Sequence, residues 1–233
     1  MMNRTTFAIK SFFLYTLLTF FSLPSYAQTS ETGAWYMYFG NARLKNSPLS
    51  LHLEAQYRNH NIIGDLEQLL LRGGLQYNLK DNSATFTAGY GFIRSEPEGS
   101  DNSAFTAENR IYQEALLRQG IGRVRLMHRF RYEQRFIRDR DFRTRYRYAL
   151  FINTPVSQKT MTKKAIYLAL YNEVFINGRK IDNGPVFDRN RAYAALGYML
   201  TDRLGIQAGY MSQILENSSK GQLQLSLHHN FLL

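Results

Sequence analysis

The sequence has no cysteine among its 233 residues, which excludes disulfides, thiolate metal sites and a cysteine-linked lipid anchor. Acidic residues are few: 18 Asp and Glu stand against 29 Lys and Arg, for a net charge of +11. After the N-terminal region, no apolar run approaches the roughly 20 residues that a transmembrane helix needs. No phosphate loop or dinucleotide fingerprint is present either. Disulfide scaffolds, helical membrane proteins and nucleotide-binding folds are therefore disfavoured.

The first 27 residues have the pattern of a secretory signal peptide. Arg4 and Lys10 form a basic start, an apolar run covers 11–23, and Ser25 and Ala27 supply small residues before a cleavage point. The run is short for the alternative, an uncleaved anchor helix. We therefore expect residues 1–27 to be removed and 28–233 to form one domain. Export also argues against a nucleic-acid partner, despite the positive charge.

Arginines alternate with apolar residues through much of the segment between residues 123 and 151. A period of two is that of a β-strand, so one face is cationic and the other is aliphatic or aromatic. In an exported chain with many such segments, this pattern predicts a membrane barrel with a wet lumen and an apolar exterior. The predicted lumen charge network, which is also the candidate anion-binding site, comprises Arg123, Arg125, Arg129, Arg131, Arg135, Arg143, Arg145, Arg147, Glu114, Glu133 and Glu173.

Eleven segments show strand periodicity: 35–44, 49–58, 68–79, 84–94, 110–118, 123–136, 142–152, 165–176, 189–200, 204–214 and 222–233. Their connections tend to alternate between tight and long, as in outer-membrane barrels. The predicted fold is all-β, an antiparallel transmembrane β-barrel of about 10–12 strands preceded by a cleaved signal peptide. Because bacterial barrels have even strand counts, eleven suggests that the first strand is broken, that the barrel closes unusually, or that the count is off by one.

The cationic face supports two interpretations. In the first, carboxylates on the same faces form a salt-bridged network that fills and stiffens a narrow barrel. Such a network would be required because like charges on adjacent strands destabilise a sheet. In the second, the arginines form a selective passage or binding site for small anionic solutes. The interspersed glutamates favour the network, and the predicted role is passive: a structural barrel, or a narrow pore or binder for anions.

Two alternatives come from other functional classes. Ser50, His52 and Glu54 share one strand face, and Ser-His-acid sets support nucleophilic catalysis, so a lipid-modifying outer-membrane enzyme is one alternative. That face points inward, away from acyl chains, and Ser226 with His228 is a weaker version of the same pattern. A secreted β-sandwich that binds a polyanion is the other. The histidines lack metal-ligand spacing, so we expect no metal and no cofactor.

Aromatic residues and the C-terminus both indicate a membrane setting. Many rings fall near strand ends, where amphipathic side chains form girdles at the headgroups; they include Trp35, Tyr36, Tyr57, Tyr77, Tyr90, Tyr112, Phe136 and Tyr198. Apolar residues of one phase continue from Leu223 to Leu233, as in the final strand that the barrel-insertion machinery recognises. The expected partners are therefore outer-membrane lipids and that machinery.

Four segments resemble a bacterial family of outer-membrane β-barrels known as a domain of unknown function. They are the segments 128–136, 143–148 and 172–175, together with 187–191 and the Tyr193 and Gly197-Tyr198 positions that follow. The resemblance covers most of the chain after the signal peptide. It implies a barrel in the outer membrane of a Gram-negative bacterium, and it supplies no activity, because the family has none assigned.

Overall fold

The structure, a computed structural model, describes residues 32–99, 104–181 and 184–233, and these ranges contain eleven β-strands and no helix. The expected signal peptide, residues 1–27, lies outside the described residues. Consecutive strands pair antiparallel, and the single sheet closes into a barrel. The strands are β1 (Gly33–Arg43), β2 (Leu49–Asn59), β3 (Leu66–Asn78), β4 (Ala84–Ser95), β5 (Thr106–Ile121), β6 (Val124–Ile137), β7 (Arg143–Pro155), β8 (Ile166–Asn177), β9 (Phe187–Met199), β10 (Leu204–Ile214) and β11 (Ser219–Leu232).

The barrel closes through a parallel pair, β1 with β11. Its register runs from Gly33 opposite Gln222 to Arg43 opposite Leu232. In an antiparallel meander, an odd number of strands makes the first and last strands run in the same direction, so their seam must be parallel. The count of eleven lies within the predicted range, but the expectation of an even count is wrong. Of the explanations offered for an odd number, unusual closure is the correct one.

The two ends of the barrel carry different connections. The turn end holds the end of β11 and the connections 44–48, 79–83, 122–123, 156–165 and 200–203. The loop end holds the start of β1 and the connections 60–65, 138–142 and 215–218, together with the described residues 96–99 and 104–105 after β4 and 178–181 and 184–186 after β8. The first and last strands therefore place their free ends at opposite ends of the barrel.

Side chains alternate between the lumen and the exterior. In β2, Leu51 and Leu53 are 40% and 48% exposed, whereas Glu54 and Arg58 are 5% and 8% exposed. The predicted faces are therefore confirmed, with apolar residues outside and charged residues inside. The alternative of a two-sheet sandwich is wrong, because one sheet closes on itself. No helix among the described residues is long and apolar enough to cross a bilayer.

Two aromatic residues expected in the outer girdles lie inside the lumen instead. Trp35 is 3% exposed and Tyr112 is 1% exposed. Tyr112 lies opposite Gly89, and a Cβ on that glycine would come within 2.3 Å of the tyrosine ring. The ring thus occupies the space that the missing side chain leaves, a pairing that stabilises glycine in sheets.

The lumen has a charged side and an apolar side. Arginines and glutamates face inward mainly from β2 to β7, whereas a cluster of buried apolar residues lines the opposite wall. That cluster comprises Trp35, Tyr167, Ala169, Tyr193, Ala195 and Met211. Trp35 is therefore placed where the apolar wall meets the charged one.

The parallel seam predicts a specific cross-link. Tyr36 and Leu225 are register partners across β1 and β11, and neighbouring strands hold Cα atoms at a separation that a disulfide spans. Because the chain has no cysteine of its own, Tyr36→Cys with Leu225→Cys should form an intramolecular disulfide on oxidation, seen as a mobility shift on a non-reducing gel.

The matched control is Tyr36→Cys with Leu232→Cys. Leu232 pairs with Arg43, seven residues along the strand at roughly 3.3 Å each, so that pair should stay reduced. Equal oxidation of both cysteine pairs, or of neither, would contradict the parallel pairing of β1 with β11 in this register.

Candidate functional site

Neighbouring strands place arginines directly opposite one another inside the barrel. Arg131 pairs with Arg147 across β6 and β7, and Arg110 pairs with Arg135 across β5 and β6. Like charges in these positions destabilise a sheet. The fold therefore depends on carboxylates that lie between them.

Glu133 is the centre of this compensation. Its Oε2 accepts hydrogen bonds from Arg145 Nε and Nη2 at 3.0 and 2.7 Å, and its Oε1 accepts one from Arg147 Nη1 at 2.6 Å. Arg110 and Arg131 each bring a guanidinium nitrogen to 3.9 and 4.0 Å of the same carboxylate. The side chain is 1% exposed. One carboxylate thus serves four arginines from three strands.

The other carboxylates bridge pairs of arginines in the same way. Glu108 Oε2 accepts hydrogen bonds from Arg110 Nη2 at 2.9 Å and Arg135 Nη2 at 3.0 Å, which separates that like-charged pair. Glu173 Oε1 accepts from Arg129 Nη2 at 2.6 Å and from Arg147 Nε at 2.9 Å. Charge-assisted bonds of this kind are short and strong.

Three further carboxylates complete the set that we call the lumen network. Glu114 accepts from Arg131 Nε at 2.6 Å, Glu54 from Arg72 Nη1 at 2.9 Å, and Asp188 from Arg145 Nη1 at 2.9 Å. The members of the lumen network are Glu54, Arg72, Glu108, Arg110, Glu114, Arg129, Arg131, Glu133, Arg135, Arg145, Arg147, Glu173 and Asp188.

Most of the residues expected in the lumen are brought together there, but three are not. Arg123 lies in the connection between β5 and β6, and Arg125 lies at the start of β6; both are exposed at the turn end. Arg143 begins β7 at the loop end, opposite Arg135 and half-buried. The alternation of arginine with apolar residues continues through these positions, but the barrel wall does not enclose them. The three arginines therefore lie at the rims of the barrel.

Two cavities flank a wall of side chains across the lumen. One of about 300 Å³ lies toward the turn end, where His52, Arg118 and Asn153 line it. The other, of about 150 Å³, lies toward the loop end, where Arg135 and Arg189 line it. Five side chains line both cavities and form what we call the partition: Trp35, Arg58, Arg72, Arg147 and Arg191.

Comparison with known proteins identifies the family of this barrel. A family model described as a protein of unknown function (DUF2490) matches residues 32–224, which include β1 to β10 and the first part of β11. The chain belongs to the DUF2490 family. No curated protein and no solved structure matches it. Any function of this DUF2490 barrel must therefore be inferred from its own geometry.

Within the candidate catalytic set, the structure engages Ser50 with residues other than His52. Ser50 Oγ donates to Gln76 Oε1 at 3.0 Å and accepts from Asn78 Nδ2 at 2.9 Å. His52 Nε2 lies 3.6 Å from Glu54 Oε2, and Glu54 itself holds Arg72. The hydroxyl proton of Ser50 thus points to an amide oxygen rather than to an imidazole that could remove it.

The second pair has better geometry, but no acidic side chain among the residues that the structure describes contacts it. Ser226 Oγ lies 2.9 Å from His228 Nε2, and the imidazole stacks on Phe39 at 4.9 Å between ring centres. Both side chains line the cavity toward the turn end. Among the described residues, no three His, Asp or Glu side chains are grouped to hold a metal ion.

Sequence reasoning missed the joint role of Trp35, Arg58 and Arg191. Trp35 and Arg58 are register partners across the β1–β2 hairpin, whereas Arg191 comes from β9, which is distant in chain order. Their phase could have been assigned as inward from alternation alone. The approach of Arg191 to Trp35 follows only from barrel closure, because closure places β1 beside β11, and β10 and β9 come next in the sheet.

The geometry around Glu133 predicts a large loss of stability on its neutralisation. Glu133→Gln leaves buried arginines without their counter-charge, and breaking a buried ion pair from one side costs about 3–5 kcal/mol. The free energy of unfolding, measured by denaturant titration of the barrel in lipid vesicles, should fall by that amount.

Asp139→Asn is the matched control, because Asp139 is 92% exposed in a loop-end connection. It should change the unfolding free energy by less than about 0.5 kcal/mol. If Glu133→Gln is equally mild, Glu133 is not the centre of the network.

Proposed function

We propose that this DUF2490 protein is an integral outer-membrane β-barrel whose lumen is closed by its own side chains. It is a structural or binding barrel rather than an open diffusion pore. The observation that carries this proposal is the lumen network, which spans the interior and joins strands on several sides of it. The expected partners are outer-membrane lipids.

The exterior supports placement in a membrane. Large apolar side chains point outward from every strand of the barrel, and exposed examples at mid-strand are Leu53, Leu71 and Tyr90, at 48%, 45% and 52%. A closed barrel also leaves no unpaired strand edge, a condition that a bilayer core imposes on any spanning sheet. Charged side chains are kept on the inner face, where they meet one another.

The partition supports a closed lumen. Arg72 and Arg147 are held in place by Glu54 and by Glu133 with Glu173, so two of its five side chains are fixed by ion pairs. Cavities of about 300 and 150 Å³ lie on either side of these five side chains. Small barrels are commonly filled in this way.

The ends of the barrel support one orientation. The C-terminal strand ends at the turn end, and outer-membrane barrels carry their short turns on the periplasmic side. The proposal therefore places the turn end in the periplasm and the loop end outside. β11 keeps Leu223 and Leu225 outward, at 41% and 43% exposed, as an insertion signal read by the barrel-assembly machinery requires.

A passive role is favoured over lipid modification. A lipid hydrolase needs its nucleophile at the acyl chains, whereas Ser50 is 1% exposed on the lumen face. Its hydroxyl is also engaged by two amide side chains. We therefore propose no enzymatic activity at this set.

The membrane setting predicts a penalty for charge on the outer face. Leu53→Arg puts a cation at mid-barrel, which costs about 2–4 kcal/mol at a bilayer midplane. Unfolding of the barrel from lipid vesicles should show that loss, whereas Ile63→Arg in the loop-end connection should be neutral within about 0.5 kcal/mol. A soluble barrel would tolerate both changes equally.

The closed lumen predicts that removing an ion pair opens it. Glu54→Ala with Arg72→Ala deletes both partners of one pair and so leaves no unmatched charge. Vesicles with this variant should become permeable to small sugars in a swelling assay, whereas wild-type vesicles should match protein-free ones.

The control is Arg138→Ala with Asp139→Ala, an exposed pair at the loop end. Vesicles with this control variant should swell no more than wild-type vesicles do. Wild-type vesicles that already swell would overturn the closed lumen.

A further inference from the structure

Two arginines of the partition lack a carboxylate partner. Arg58 donates from Nε to Gln56 Oε1 at 2.9 Å and from Nη1 to Gln68 Oε1 at 2.6 Å, and Arg191 donates from Nε to Gln213 Oε1 at 2.8 Å. All of these acceptors are neutral amides. Within the described ranges, neither guanidinium has a carboxylate oxygen within 4.0 Å. The two differ in this from every arginine of the lumen network.

Both unpaired guanidinium groups lie against one indole. The Cζ atom of Arg58 is 3.7 Å from the centre of the Trp35 ring, and that of Arg191 is 4.8 Å from it. Because both distances are measured to the same ring centre, the Cζ atoms of Arg58 and Arg191 are no further apart than the sum of the two distances. Cation–π contact offsets part of the cost of burying them, but it supplies no opposite charge.

The loop-side cavity adjoining them is strongly cationic. Its lining contains eight arginines and only two acidic residues, Glu67 and Glu108. Glu108 is engaged by Arg110 and Arg135, and Glu67 lies 3.8 Å from Lys220. Glu67 attracts Arg58 only from beyond 4.0 Å, so neither acid forms a direct ion pair with the unpaired arginines.

Backbone irregularities border the same cavity. The β2–β3 register shifts between Arg58 and Asn59, where Glu67 is passed over, and the β8–β9 register shifts between Phe175 and Ile176, where Asp188 is passed over. Such β-bulges re-aim side chains and are frequent beside functional sites. Both shifts lie at residues that line or adjoin the loop-side cavity.

We propose that Arg58 and Arg191 form a binding site for a small oxyanion, which enters from the loop-side cavity and supplies the missing negative charge. Arginine stays protonated when buried, and among the described residues these two enclosed guanidinium groups have only carboxylates beyond 4.0 Å, so an anion from solution would supply a direct counter-charge. The site lies in the closed barrel proposed above and depends on that closure, because an open pore would leave both groups in bulk water.

The chemistry of the site favours a phosphate-class or carboxylate-class group. The planar guanidinium group of arginine binds such oxyanions through two parallel N–H donors. A cavity of about 150 Å³ holds several waters, at roughly 30 Å³ each in the liquid, and so has room for a free oxyanion. Arg189, 26% exposed, marks its solvent side.

Trp35 is the reporter for the test, because it is the only tryptophan in the chain. The folded barrel in non-ionic detergent is titrated with inorganic phosphate at constant ionic strength, with chloride as the balancing anion. Emission should change saturably, and isothermal titration calorimetry should give the same half-saturation. Dodecyl phosphate in the micelles, a phosphate carried on an acyl chain, should give no saturable response.

Three variants should each raise the half-saturation concentration at least tenfold. Arg58→Gln and Arg191→Gln remove one cation each. Gln213→Glu keeps both cations but places a built-in carboxylate beside Arg191 Nε, so that it competes with phosphate. Arg138→Gln, an exposed loop-end arginine, should leave the half-saturation unchanged. Comparison rests on half-saturation, because Arg58 and Arg191 substitutions alter Trp35 emission directly.

The outcomes separate the site from the proposed function. No saturable response to phosphate, or unchanged affinity in all three cavity variants, overturns the anion site. A response to dodecyl phosphate alone assigns the site to lipid and overturns the free oxyanion. Heat-modifiable gel migration and vesicle swelling, measured on the same preparations, test the closed membrane barrel independently of either result.

Discussion

Arginine keeps its charge wherever it is placed, so an arginine turned into a closed barrel must be matched by an anion. This constraint organises the interior of the DUF2490 barrel. Cross-strand neighbours such as Arg131 and Arg147 are tolerated only because Glu114 and Glu133 lie beside them. The same carboxylates link several strands across the lumen. The ion pairs that neutralise the arginines therefore also fill the interior of the barrel.

The exterior and the interior are complementary consequences of one alternating pattern. Each strand sends apolar residues outward and polar ones inward, which suits lipid outside and an enclosed ionic network inside. The β1–β2 hairpin places Trp35 opposite Arg58, and the parallel β1–β11 seam closes the ring so that Arg191 of β9 also reaches the indole. Around Trp35, Arg58 and Arg191 have no carboxylate oxygen within 4.0 Å among the described residues, and this is why the anion site is proposed there rather than along the β6–β7 ladder.

Alternation was sufficient to predict both faces, most strand bounds and the inward position of residues such as Arg145 and Glu173, because a strand's period of two is a local property. It could not predict that Glu173 bridges Arg129 and Arg147. Contacts of this kind depend on register and closure. Trp35 was assigned to a girdle because its position near a strand end is compatible with either face of the barrel.

Single-channel recording on the wild-type barrel in a planar bilayer tests the central claim most directly, namely that the lumen network and partition close the interior. The account predicts that folded, heat-modifiable protein inserts without producing stable conductance steps. Reproducible steps with anion preference, from protein shown to be folded in the same preparation, would contradict it and would establish an open, arginine-lined pore.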